Sequence, residues 1–174
     1  MLVLLPQSVS AARTLVQKSD LVVTTSNVKS VTGSLPVAAT PGNLIVVVCS
    51  AGFSSTLSVA GYTTANTAAG TISQGVFYKI AVAGNISATC SSSVRSRNGQ
   101  GIQIYEYFGV LSGSVFDKVT NGTGTTSAIA LGPLIPATNN SLIFTAYTAA
   151  SSASYTVNTA GYTERTDTLS TLHF

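Results

Sequence analysis

Apolar residues in this chain fall in short unbroken runs or in every-other-residue alternation, and never at the 3.6-residue spacing of a helix over three turns. The strongest run is Leu44–Cys49, six consecutive apolar residues rich in Val behind the turn signal Pro41-Gly42-Asn43. A short β-branched run behind a turn predicts a strand buried on both faces. Gln74–Ala83 alternates, with Val76, Tyr78 and Ile80 on one face and Phe77 and Lys79 on the other, as a half-buried strand requires. Gly101–Phe108 alternates too: Ile102 and Ile104 point one way, Gln103, Tyr105 and Tyr107 the other. Glu106 shares the isoleucine side, which predicts a buried carboxylate unless the strand bulges or lies near an edge.

Weaker signals fill in the rest. Arg13–Lys18 reads as an edge strand, Leu21–Thr25 as a short β segment, and Asn27–Leu35 as a poorly alternating strand. Leu57–Ala60 is a short strand and Thr63–Gly70 a polar loop. Gly84-Asn85 reads as the two-residue turn of a hairpin running into Ile86–Ser91, and Arg95–Gly99 as a second, solvated hairpin tip turning on Asn98-Gly99. A further short strand is expected over Phe116–Thr120; Ala128–Leu131 leads through Pro133 and Pro136, which block helix and central strand alike, and Ser141–Tyr147, Tyr155–Thr159 and Tyr162–Thr168 follow.

Part of the pattern occurs twice. Leu44–Cys49, a Gly/Ser loop and Ala60-Gly61-Tyr62-Thr63 are echoed by Leu142–Ala146, an Ala/Ser loop and Ala160-Gly161-Tyr162-Thr163. The register is nearly constant, since 142 − 44 = 98 and 161 − 61 = 100. Short strands at regular intervals, punctuated by Gly, Pro and Asn, predict an all-β fold. The expected architecture is a two-layer antiparallel β-sandwich of Greek-key or jelly-roll type with an internal pseudo-repeat, each copy supplying a central strand to one of the two sheets. Residues 1–12 read as an N-terminal arm and 13–174 as one sandwich domain, within the size of a single core.

Composition agrees with that reading. Charged residues are only 7% of the 174, far below the roughly 25% of an average soluble domain. Ser and Thr make a good wet face for a sheet but a poor one for a helix. The net charge of +3 comes from eight basic and five acidic groups spread thinly, too sparse for a nucleic-acid stripe. No window reaches the roughly 20 apolar residues of a membrane-spanning helix. The apolar start, Leu2 to Leu5, lacks a preceding basic residue and is cut by Pro6, so it reads as an arm and not as a secretion signal.

The residues offer little chemistry. The only histidine, His173, is next to the last residue, where a catalytic base is poorly held. Glu106 with Asp117 or Glu164 makes an unconvincing glycosidase pair, and no acid cluster or Gly-rich strand-to-helix loop suggests a metal or phosphate. No catalytic residue, cofactor or metal is therefore expected. Cys49 and Cys90 lie in different expected strands and are either a cross-strand disulfide or two buried thiols acting as small apolar residues.

Several phrases together carry a resemblance: Gly42–Val47, Ala60-Gly61-Tyr62, Phe77–Ala81, Ile104–Val110 and Gly161–Arg165. Over roughly residues 13–168 the chain resembles a β-sandwich domain of tailed-phage virion proteins, of the capsid-decoration, head-fibre and tail-fibre kind, also seen in some bacterial surface proteins. That resemblance implies a non-enzymatic structural protein that self-associates and attaches to capsid or tail proteins, made in the host cytoplasm and carried on the particle. In that family one or two further strands normally follow the Gly-Tyr-Thr-Glu-Arg phrase, so the resemblance implies either a missing tail or a strand supplied by a neighbouring subunit. The interaction residues expected are Leu2, Leu4 and Leu5 in the arm, and Arg95, Arg97 and Asn98 at the basic tip, with Asn121–Thr126 as a second exposed loop. Two alternatives remain. One is a carbohydrate- or receptor-binding module using exposed Tyr105 and Tyr107 against a host-surface glycan; the other is a strand-exchanged surface-filament subunit.

Overall fold

A computed structural model describes residues 13–25, 27–110, 115–120, 135–137 and 141–148. The described residues contain no helix, and none is long and apolar enough to cross a membrane. They form nine strands: β1 (Thr14–Lys18), β2 (Val22–Val23), β3 (Val28–Ser34), β4 (Leu44–Ala51), β5 (Leu57–Val59), β6 (Thr63–Ala68), β7 (Ser73–Ile80), β8 (Ser87–Ser96) and β9 (Gln100–Phe108).

All pairings are antiparallel and sort the strands into two sheets. The larger has six strands in the order β1-β9-β4-β7-β6, with β2 also pairing β9; the smaller runs β3-β8-β5. The two pack face to face as a β-sandwich. Between them lies a core that includes Val31, Ile45, Val47, Cys49, Phe77, Cys90, Ile102 and Ile104. Each fully buried Ile, Val or Phe stabilises the fold by roughly 1.5–3 kcal/mol through the apolar area it removes from water.

β4 is the centre, flanked by β7 and β9 over its whole length, from Leu44↔Ile80 and Leu44↔Tyr107 to Ala51↔Ser73 and Ala51↔Gln100. All eight of its residues are buried. The odd-numbered ones enter the inter-sheet core, while Leu44, Val46 and Val48 join Tyr105 and Tyr107 in a second cluster on the outer face of the large sheet. Val115, Leu142, Phe144 and Ala146 pack over that outer face. Covering on both sides is why the strand reads as an unbroken apolar run and not as an alternation.

The expected facing of β7 and β9 holds. Phe77 enters the inter-sheet core while Val76, Tyr78 and Ile80 join the outer cluster; Ile102 and Ile104 take the inner side and Tyr105 and Tyr107 the outer. Gly75 makes the inner packing possible. A Cβ added there sits 2.6 Å from Cε2 and 2.8 Å from Cζ of Phe77, a ring that is 1% exposed. Gly75→Ala is therefore expected to destabilise the fold by about 1–3 kcal/mol through overpacking. Urea unfolding checks this, and an unchanged midpoint would show that the ring moves at no cost.

Four expectations are corrected. Ala83–Cys90 and Arg95–Gly99 are not hairpins: β7 and β9 belong to the large sheet and β8 to the small one, so both turns carry the chain from one sheet to the other. Gly84 (φ 81°) and Gly99 (φ 85°) supply the left-handed backbone that lets so few residues cross. Thr63–Gly70 is not a loop, since β6 occupies most of it and pairs with β7 through a bulge at Ala65. Phe116–Thr120 forms no strand; its Phe116 ring instead stacks on Tyr78 at 5.8 Å between centroids.

The duplication behaves differently from expectation as well. Residues 141–148 form no strand and enter neither sheet; they lie against the outer face of the sheet that contains the first copy. Ala128–Leu131, Tyr155–Thr159, Tyr162–Thr168 and the second Gly-Tyr phrase fall outside the described residues.

Candidate functional site

Among the described residues, an organised polar group surrounds Glu106. This carboxylate points with Ile102 and Ile104 toward the sandwich interior, at the end where the three-stranded sheet stops. The connector from Leu35 to Asn43 closes that end. It is held by backbone bonds from Leu35 N to Ile86 O (2.7 Å), Ala39 N to Asn85 O (2.7 Å) and Gly42 N to Ala81 O (3.0 Å). Glu106 is 0% exposed. Its Oε1 accepts from Thr40 N (2.8 Å) and Asn43 Nδ2 (2.5 Å), and its Oε2 from Gln17 Nε2 (2.6 Å).

A bulge in β1 brings the third donor into place. The register jumps from Leu15↔Tyr107 to Gln17↔Glu106, so Val16 is the extra residue and stands 48% exposed. Without the bulge, Val16 would stand opposite the carboxylate. Gln17 is itself oriented, since its Oε1 accepts from Val37 N and its Nε2 also donates to Val37 O, both at 3.2 Å. Burial alone pushes the Glu106 carboxyl up; hydrogen bonds from Gln17, Asn43 and Thr40 outweigh it and hold the group below its ordinary value. The arrangement fixes an ionised carboxylate with three donors, two on Oε1 and one on Oε2. It ties β1 and the connector to β9.

The basic tip is a rigid crossing. Arg95, Arg97 and Asn98 are exposed. Arg95 Nη1 donates to Asn27 O (2.9 Å) and Asn98 Nδ2 to Gly52 O (3.1 Å). Beneath them the fully buried Gln100 donates to Ser92 Oγ, and its backbone N–H donates to Thr24 Oγ1 (2.9 Å). Two of the three expected tip residues thus hold the turn in place while their outer faces stay available.

Tyr105 and Tyr107 are not an exposed platform. They are 6% and 5% exposed, covered by Phe144, whose ring meets theirs edge-on at 5.3 Å and 6.3 Å. The Tyr105 hydroxyl donates to Gln103 Oε1 (2.7 Å). Residues 142–146 bury the face that the glycan-binding reading needs open. Leu2, Leu4 and Leu5, the loop 121–126 and His173 lie outside the described residues. Among the described residues, no three His, Cys, Asp or Glu side chains come together in a way that could hold a metal ion.

One surface was overlooked in the sequence. The outer face of the three-stranded sheet carries hydroxyl side chains over Ser30–Ser34 and the residues paired with them, while the exposed Lys29, Val94 and Arg95 lie at the bulged end of the sheet. Ser30 is opposite Ser91, Thr32 opposite Thr89, Ser34 opposite Ser87, and Ser58 opposite Ser91 on the other side. All seven are exposed, and the Thr32 and Thr89 hydroxyls hydrogen-bond at 2.8 Å. The signal was there: Ser or Thr recurs at every second position from Ser30 to Ser34 and from Ser87 to Ser93. Comparison with known protein families, with curated proteins and with solved structures finds no match to this chain.

Proposed function

We propose that this protein is a structural component of a tailed-phage virion that self-associates and attaches to the particle through its surfaces. The observation that carries the reading is the outer face of β3-β8-β5, where Ser30, Thr32, Ser34, Ser58, Ser87, Thr89 and Ser91 form an uncharged hydroxyl field, with the exposed Lys29 and Arg95 only at the bulged end. An uncharged hydroxyl face can meet a copy of itself without like-charge repulsion and with hydrogen bonds in any of several registers. The sandwich behind it is rigid, with a core on both sides of β4, which suits a part that must hold its shape in an assembly. The resemblance of Gly42–Val47, Phe77–Ala81 and Ile104–Val110 to virion sandwich domains supplies the biological setting.

Light scattering on the purified chain is expected to give an oligomer. The double substitution Ser34→Lys and Ser91→Lys, at exposed positions where folding should change by no more than about 0.5 kcal/mol, is expected to shift it to monomer. A wild-type chain that stays monomeric would sink the self-association reading. An oligomer indifferent to the two lysines would sink the assignment to this face.

A further inference from the structure

We propose that Cys49 and Cys90 are a pre-aligned dithiol that closes to a disulfide between the two sheets when the chain folds in the presence of a small-molecule disulfide, and that stays reduced once it has folded without one. They are the only two cysteines of the chain. Cys49 lies in β4 of the large sheet and Cys90 in β8 of the small one. Both are free, both are 0% exposed, and both enter the same inter-sheet core. β4 and β8 face each other across the core, and Cys49 and Cys90 project into it close enough for the two thiols to interact, so the fold places each cysteine against the only other one in the chain.

Burial, reinforced by the Cys90 contact, pushes the Cys49 thiol far up. The thiolate is the attacking species, so the folded dithiol is almost inert. Closure therefore belongs to the folding chain, in which both thiols still meet solvent. The thiolate of Cys49 attacks one sulfur of oxidised glutathione; the glutathione S–S bond breaks and one glutathione leaves and takes up a proton. Cys90, having lost its proton, attacks the Cys49 sulfur of the mixed disulfide and expels the second glutathione. Two protein thiols are oxidised to one disulfide, and one small-molecule disulfide is reduced to two thiols. The bond closes a loop of 90 − 49 = 41 residues, long enough to restrict the unfolded chain strongly. The redox state of the pair then records the conditions under which the chain folded.

The test is refolding from denaturant with reduced and oxidised glutathione, followed by intact-mass measurement and thiol titration in denaturant. The expected product is a chain with no covalent link to another, two hydrogens lighter than the dithiol, with no titratable thiol and a higher denaturant midpoint than the reduced protein. The chain folded in reductant and then given oxidised glutathione is expected to stay open over a time in which the refolding sample closes completely. Glutathione adducts, intermolecular dimers or two free thiols as the refolding product would overturn the alignment, as would a closed form with the lower midpoint. Equal closure rates in the two samples would overturn the shielding. Cys49→Ala and Cys90→Ala are expected to give no chain of the lighter mass. The wild-type refolding result stands whether or not these variants fold.

Discussion

Glu106→Ala is expected to lower stability by about 2–4 kcal/mol, because it removes the one acceptor shared by three donors and leaves the buried Asn43 amide without it. Thr40 N, Asn43 Nδ2 and Gln17 Nε2 all point at the carboxylate; Asn43 is buried, whereas Gln17 is half-buried and Thr40 is exposed in the connector, where water can replace part of what is lost. The gain from no longer burying a charge offsets part of this, which is why the figure stays below the sum of three orphaned donors at roughly 1–3 kcal/mol each. Glu106→Gln keeps the shape but sets an amide N–H₂ against one of the donors. Gln17 cannot turn its amide to accept without losing Val37 N, so about 1–3 kcal/mol should still be lost.

The pH dependence has a definite sign. The folded-state pKa of Glu106 lies below its unfolded value of about 4.3, so the carboxylate's contribution is fully present above that value and is lost as pH falls through the folded pKa. The stability gap between wild type and Glu106→Gln is expected to be constant near neutral pH and to narrow on acidification below about pH 5. Urea unfolding at a series of pH values reads both effects. An alanine variant within about 1 kcal/mol of wild type would show that the donors find other partners.

Phe77→Ala is expected to cost about 3–5 kcal/mol, the usual loss for deleting a buried aromatic side chain. The ring belongs to the inter-sheet core, with β4 beside it at Val47 and β6 at Thr64, and it fills the space that Gly75 leaves open. Sheets hydrogen-bonded along eight residues cannot collapse locally into the hole. Tyr78, one residue on, is only partly buried and faces the outer layer, where Phe116 stacks on it; Tyr78→Ala should cost distinctly less. Denaturant midpoints at constant slope separate the two. If Tyr78→Ala proved the more damaging, the outer layer would have to hold the fold more strongly than the inter-sheet core.

Much of this fold was legible because the pleat is local. Alternation set Phe77 opposite Tyr78 within Gln74–Ala83, and Ile102, Ile104 and Glu106 opposite Tyr105 and Tyr107 within Gly101–Phe108, and the structure agrees. Which faces of the two strands coincide came from their pairing with β4. The buried carboxylate was visible as a polar residue on an apolar face. Its donors were not, since Gln17, Thr40 and Asn43 lie 89, 66 and 63 residues away and reach it only through a bulge and a connector. The tyrosines were misread for a related reason. Alternation says that Tyr105 and Tyr107 share a face, but whether that face meets solvent depends on Phe144, far along the chain.

The sequence by itself determined the all-β class and, in the strands with clear alternation, which side chains share a face, because side-chain direction in a strand depends only on its own backbone. The partner of each strand was decided elsewhere. A short turn such as Arg97–Gly99 or Gly84-Asn85 serves equally as a hairpin or as a crossing between sheets, and nothing in its residues chooses. Tertiary packing chose the crossing. The chain can bury β4 on both faces, and bring Cys49 against Cys90, only if β8 lies opposite its sequence neighbours and not beside them.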